Sequence, residues 1–233
     1  MPPSLCSSCE AVCSSPYEFI YLRKLVSGYQ DLVSAGVRSR NQRAALYRGK
    51  GQRWQTGDSL EGAAEGFVLE GLERSIESYK SEKKRYEGEF ARLAKKHPPI
   101  RLLKSIPGID DINAVKIVAY VVDPRRFKKI GHFLSYCGLV KLERSSGGKV
   151  YQRRASRYCR TLKTLFKMSV FSVIAQDKQN PLQDYYQFLL HEKGLADHDA
   201  RSAVARRIAT LAYGVLKSTQ KFNPERIKPT AID

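Results

Sequence analysis

The chain has 233 residues, 42% of them hydrophobic and 27% charged, a balance that excludes a disordered or collagen-like polypeptide and suffices for a buried core. Forty-one Lys and Arg face twenty-three Asp and Glu, for a net charge of +18. That excess is the electrostatic footprint of a polyanion binder, and for a cytoplasmic chain the polyanion is nucleic acid. It is also clustered: residues 101–175 hold sixteen Lys and Arg against four Asp and Glu, a net of +12.

No stretch approaches the ~18–20 uninterrupted apolar residues of a membrane span. Met1-Pro2-Pro3-Ser4 has neither the basic nor the apolar region of a signal peptide, so a cytoplasmic location without membrane contact is expected. Residues 1–16 read as an irregular leader. Cys6, Cys9 and Cys13 have metal-like spacing there, but no neighbouring His completes a zinc set, and no metal site is expected.

A helical pattern starts at Pro16, with Leu22, Val26, Tyr29 and Val33 at steps of four, three and four, and continues less regularly toward Tyr47. Gly49, Gly51 and Gly57 break it. Leu69, Leu72, Ile76, Tyr79, Lys83, Tyr86, Phe90 and Leu93 then alternate three and four apart, with Lys83 as the single polar seam residue. This spacing predicts a coiled-coil-like helix about 45 Å long. It pairs either with the first helix as a hairpin or with another subunit, as a homo-oligomer. His97-Pro98-Pro99 ends it, which places a helical hairpin at 17–98, a second domain at 99–220 and a frayed tail at 221–233.

The second domain opens with Leu102 to Asp111, a segment with the pattern of a helix, a Pro-Gly turn and a second helix. It reads as a helix-hairpin-helix DNA-binding element or as a plain helical corner. In the first case Lys104, Pro107, Gly108 and Ile109 approach phosphate; Asp110 is the departure, since it caps the helix and repels an anion. Arg125, Arg126, Lys128 and Lys129 surround Phe127 and favour phosphate contact. Residues 132–140 form a short apolar stretch, and residues 141–160 are basic, polar and Gly-containing. Helices are expected at 161–175, 184–191 and 200–217.

Ser156 stands among Arg153, Arg154, Arg157 and Arg160 at the entry to the 161–175 helix. A serine attacking a phosphodiester needs cations on the non-bridging oxygens, and clustered Arg supplies them. Taken on the residues alone, a helix N-cap in a phosphate-gripping loop fits better than a nucleophile.

Residues 100–217 resemble the C-terminal domain of insertion-sequence 110/116/902 transposases. The carrying residues are Leu103-x-Ser105-Ile106-Pro107-Gly108-Ile109, Asp123 to Phe127, Ser135 to Val140 and Ser156-Arg157 leading into Leu162-Lys163. Tyr185-Tyr186, Lys193-Gly194 and Ala203-x-Ala205-Arg206-Arg207 follow. Residues 17–97 are similar to that family's helical hairpin, with Leu22-Arg23 and Arg40-Asn41-Gln42 in matching places.

The resemblance implies a mainly α fold and a DNA recombinase acting by strand transfer, with Ser156 as nucleophile and Ser145 or Ser146 as the fallbacks. It also implies a bridge RNA as partner, assembly as a multimer, and Mg²⁺ held by an acidic RuvC-like domain. Tyr158-Cys159-Arg160 departs from the family's serine motif, and Leu162 arrives one residue early. Only Glu10 precedes the first helix, so no RuvC-like domain is legible, no cofactor is expected in this chain, and a truncated copy is the expectation. The rival readings are a non-catalytic DNA- or RNA-binding remnant and a helix-hairpin-helix repair accessory protein.

Overall fold

The computed structural model describes residues 16–55, 62–140, 144–146, 149–152, 157–176 and 178–227. Two 34-residue helices, α1 (Pro16–Gly49) and α2 (Ala63–Lys96), run antiparallel. The remaining described helices are α3 (Pro98–Leu103), α4 (Asp111–Val121), α5 (Ile130–Tyr136), α6 (Arg160–Ile174), α7 (Pro181–His191) and α8 (Asp197–Ser218). A short 3₁₀ turn at Pro124–Arg126 lies between α4 and α5, and another at Pro224–Ile227 follows α8. The fold is mainly α, as the periodicity implies.

The α2 stripe is buried at Leu69, Ile76, Tyr79, Phe90 and Leu93, and its partner is α1 of the same chain. Tyr29 packs edge-on against Phe90, ring centroids 5.2 Å apart, and the Tyr79 ring fills the space beside Gly36. The less regular half of α1 proves periodic: Gly36, Arg40, Arg43 and Tyr47 extend the same three–four spacing. Arg40 lies over the Tyr79 ring at 5.3 Å, and Arg43 lies over Trp54 at 3.5 Å. Long cations can hold seam positions because their stems cover apolar surface while their heads meet aromatic faces. Since α1 covers the α2 stripe, self-association of the chain requires another face; Phe67 and Val68 are exposed at the far end of the hairpin.

Ile76 is only 4% exposed, so Leu72→Asp with Ile76→Asp sets charges into the seam at several kcal/mol. Thermal melting should fall by about 10 °C or more, at ~2–4 °C per kcal/mol for a chain this long. Unchanged circular dichroism, melting and sedimentation would contradict the packing.

Beyond His97 the core does not break. Leu22, Val26, Tyr29, Phe90 and Leu93 belong to one apolar cluster with Ile100, Leu103, Ile117, Phe166 and Ile208. Arg23 Nε donates to the Ala119 carbonyl at 3.0 Å, tying α1 to α4. Lys116 on α4 lies over the Tyr29 ring, and burial pulls its ammonium below the usual lysine range. The long hairpin is thus seated on the second half of the chain.

Two elements depart from expectation. Within 141–160 a two-stranded antiparallel hairpin forms, β1 (Arg144–Ser146) with β2 (Lys149–Gln152), Ser146 opposite Lys149. Gly147-Gly148 between the two strands is a sequence signal for a hairpin. The second departure is the tail. Its described part, through residue 227, is docked: Ile227 is 1% exposed, and the Phe222 amide donates to Ser105 Oγ at 2.9 Å.

Candidate nucleic-acid interface and strand-transfer site

Several cations of the helical hairpin are paired with carboxylates of the same hairpin. Lys50–Glu65, Lys80–Glu77, Lys83–Glu87, Arg85–Glu82 and Arg92–Glu89 all pair within 3.3 Å. The Arg92 guanidinium holds the Glu89 carboxyl down at about 2. The basic block carries further exposed cations. Lys128, Lys129, Arg157, Arg160 and Lys167 are exposed and make no ion pair with described residues. With a net of +12 over residues 101–175, the positive field is strongest around this half of the chain.

The Pro-Gly turn between α3 and α4 is turned mainly toward protein. Gly108 has φ of +81°, and a Cβ built there would stand 2.7 Å from the Ser169 carbonyl oxygen and 2.6 Å from Val173 on α6. The close backbone approach that the sequence offered to phosphate is thus made to a helix. Ile109 is 5% exposed and belongs to the core, and Pro107 is half-buried. Asp110 caps α4 by accepting from the Asn113 amide at 2.6 Å, and Lys104 pairs with Asp111 at 2.6 Å.

Gly108→Ala should lower stability by about 2–4 kcal/mol. The positive φ costs about 1–2 kcal/mol, and overlap with helical backbone adds a similar amount. Denaturant melts would show it; an unchanged midpoint would contradict the packing.

Asp123 accepts from the Arg125 amide at 2.8 Å and, with the buried Pro124, starts the 3₁₀ turn. The turn divides its cations. Arg126 donates to the Tyr120 carbonyl at 3.2 Å and lies within 4.7 Å of the Phe127 and Tyr136 ring centroids. Arg125 is exposed, as are Lys128 and Lys129, with Lys129 at the start of α5.

Ser156, Arg153 and Arg154 lie outside the described residues, as do Cys6, Cys9 and Cys13. The segment that follows Ser156 is described and is anchored from three directions. The Cys159 amide donates to the Tyr136 carbonyl at 2.8 Å. Tyr158 packs over Gly138, and Lys163 lies over the Tyr158 ring at 4.5 Å. Gln30 of α1 reaches Thr161 Oγ1 at 3.3 Å. Gly138 permits this because α5 ends in a left-handed residue: Gly138 has φ of +66°, and Leu139 N–H closes onto the Leu134 carbonyl at 3.0 Å. A side chain at 138 would displace Tyr158.

Arg157 and Arg160 project at this anchored mouth of α6. Cys159, at the N-cap of α6, makes no side-chain cap hydrogen bond to the first amides of the helix. Cys137 and Cys159 are both free thiols, and burial pushes the Cys137 thiol up, which makes it inert. Among the described residues no group of three or more His, Cys, Asp or Glu could hold a metal ion. No helix is long and apolar enough to cross a membrane among the residues described.

Gln30, Tyr136 and Gly138 are the positioning residues that sequence reasoning missed. Gly138 carried a signal, as the glycine inside the short apolar stretch 132–140. Gln30 carried none, since its partner lies 131 residues away.

The basic second half of the chain thus holds residues 158–161 in place beside the exposed Arg157 and Arg160. Residues 100–187 match the model of the Transposase IS116/IS110/IS902 family, a likeness that supports a role in transposition and recombination. Comparison with curated proteins gives no match. The matched span runs from α3 to the middle of α7 and includes both the anchored segment and the cationic 3₁₀ turn.

Proposed function

We propose that the chain binds DNA through its basic domain and takes part in strand transfer with Ser156 as the nucleophile. The observation that carries this reading is the triple anchoring of residues 158–161 onto α5 and α1. A loop that merely gripped phosphate electrostatically would need no such fixing, whereas in-line attack on phosphorus requires the nucleophile to be held. Ser156 Oγ bonds to phosphorus, its proton passing to a base, as the bond from phosphorus to the leaving deoxyribose oxygen breaks. The leaving oxygen takes up a proton. Arg157 and Arg160, with Arg153 and Arg154 in the same segment, would neutralise the charge that gathers on the non-bridging oxygens.

DNA contact in this reading falls to Lys128, Lys129, Arg157 and Arg160, which are exposed, with Arg125 beside them. Lys104 and Arg126 contribute field more than contact, because each already has protein partners. In this reading Mg²⁺ would be held by an acidic RuvC-like domain, and a bridge RNA would be a further partner.

The test is assembly. The purified chain should bind duplex DNA without forming a covalent adduct. Adding an acidic RuvC-like domain with Mg²⁺ and a matching bridge RNA should yield a protein–DNA band that survives denaturation. A chain that neither binds duplex alone nor forms the adduct in the assembly would leave the reading without support.

A further inference from the structure

The outer face of α6 continues away from the serine segment. Arg160, Thr164, Lys167, Met168 and Phe171 follow at i, i+4, i+7, i+8 and i+11, and all are exposed. They form one stripe on a single helix face. At its far end a cleft of about 180 Å³ opens between α6 and α8, lined by Lys167, Phe171, His198, Arg201 and Ser202. Phe171 is 46% exposed and Met168 56%, so neither serves the core.

The cleft is held in shape by a polar chain. Arg201 lies over the Phe171 ring, 5.2 Å from its centroid. Its guanidinium grips Asp197, with Nε donating to Oδ1 at 2.7 Å, and Tyr186 Oη donates to the same oxygen at 2.5 Å. Asp197 is therefore occupied by Arg201 and Tyr186, and the exposed Lys167 has no ion-pair partner among the described residues. At the α8 side of the rim, His198 Nδ1 stands 3.5 Å from Asp199.

We propose that this cleft takes an unpaired nucleotide, with its base stacked on Phe171 and its phosphate facing Lys167. The proposal rests on the strand-transfer reading and extends it. An aromatic ring backed by a fixed guanidinium is a stacking platform, and it can meet a base face only where the base has left the duplex stack. A protein partner would not need the lysine at the rim, whereas a nucleotide does. The distance suits the role. Arg160 and Phe171 are eleven residues apart, about 17 Å along the helix, or roughly five nucleotides at duplex spacing. A strand opened at the serine would run along this stripe and end on Phe171. Either DNA or RNA could supply the nucleotide, since both present the same base face and phosphate.

The experiment uses the full chain with a fluorescent single-stranded DNA, the matching RNA and the matching duplex, read by anisotropy. Phe171→Ala and Phe171→Leu should each weaken the preferred single strand roughly tenfold or more, with Phe171→Trp restoring it. Duplex affinity should change less than about twofold, since phosphate contacts elsewhere carry it. The arm that loses most, DNA or RNA, identifies the source of the nucleotide. If Phe171→Leu binds single strands as the unmodified chain does, the ring is not a platform and the proposal fails. It fails equally if single-strand and duplex affinities fall together, or if the substitutions change only the oligomeric state. Loss of duplex binding in the unmodified chain would instead sink the underlying reading, while Phe171-dependent binding of single strands would leave the cleft standing.

Discussion

Affinity for duplex DNA should fall about 10³–10⁵-fold between about 50 and 200 mM salt, the response expected when roughly six to ten phosphates are neutralised. The described domain offers Arg125, Lys128, Lys129, Arg157, Arg160 and Lys167 as exposed cations, and Arg153 and Arg154 add two from the same block. Each phosphate neutralised releases condensed counterion, so the slope of log affinity against log salt counts the contacts. Lys128→Ala with Lys129→Ala should flatten that slope by about two and weaken binding across all DNA sequences alike. Lys80→Ala with Arg85→Ala, on the hairpin, should change it little, because those cations already sit on Glu77 and Glu82. A flat salt response would remove the nucleic-acid reading altogether.

The helical hairpin was legible because its apolar positions keep a strict three–four alternation from Leu69 to Leu93, which only a helix can gather onto one face. The second half of α1 was less so. Its seam passes through Gly36, Arg40 and Arg43, where a small residue and two aromatic-stacked cations replace the usual aliphatics. α6, α7 and α8 lay near their expected positions, and α7 starts earlier because Asn180 caps it, accepting from Leu182 and Gln183 amides, with Pro181 in its first turn. α5 was hidden by its brevity and by Gly131 and His132. The docking of the tail rests largely on one buried isoleucine and one hydrogen bond to Ser105, too little to leave a pattern.

The site was legible in its residue types and illegible in its geometry. Clustered arginines and a serine at a helix entry can be read along the chain. What holds them cannot: Gln30 meets Thr161 from another helix, and the amide of Cys159 finds the carbonyl of Tyr136. Gly108 is the instructive case. A Pro-Gly turn before a helix signals close backbone approach, but the sequence does not say to what, and here the neighbour is the Ser169 carbonyl of α6.

The second large effect concerns Ser156, and it is the most direct measurement of the whole account. In the assembly with an acidic domain, Mg²⁺ and bridge RNA, Ser156→Ala should abolish the covalent protein–DNA adduct, because the proposed bond to phosphorus is made by the Ser156 hydroxyl. Duplex affinity should stay within about twofold of the unmodified chain, since one hydroxyl adds little beside the summed phosphate contacts. Arg153→Ala should do the opposite in part, weakening binding and lowering the salt slope by about one. Adduct formation by Ser156→Ala at the unmodified yield would contradict the assignment and move it to Ser145 or Ser146. Loss of binding in Ser156→Ala as large as that in Arg153→Ala would contradict it too, making the serine a cap or a phosphate contact.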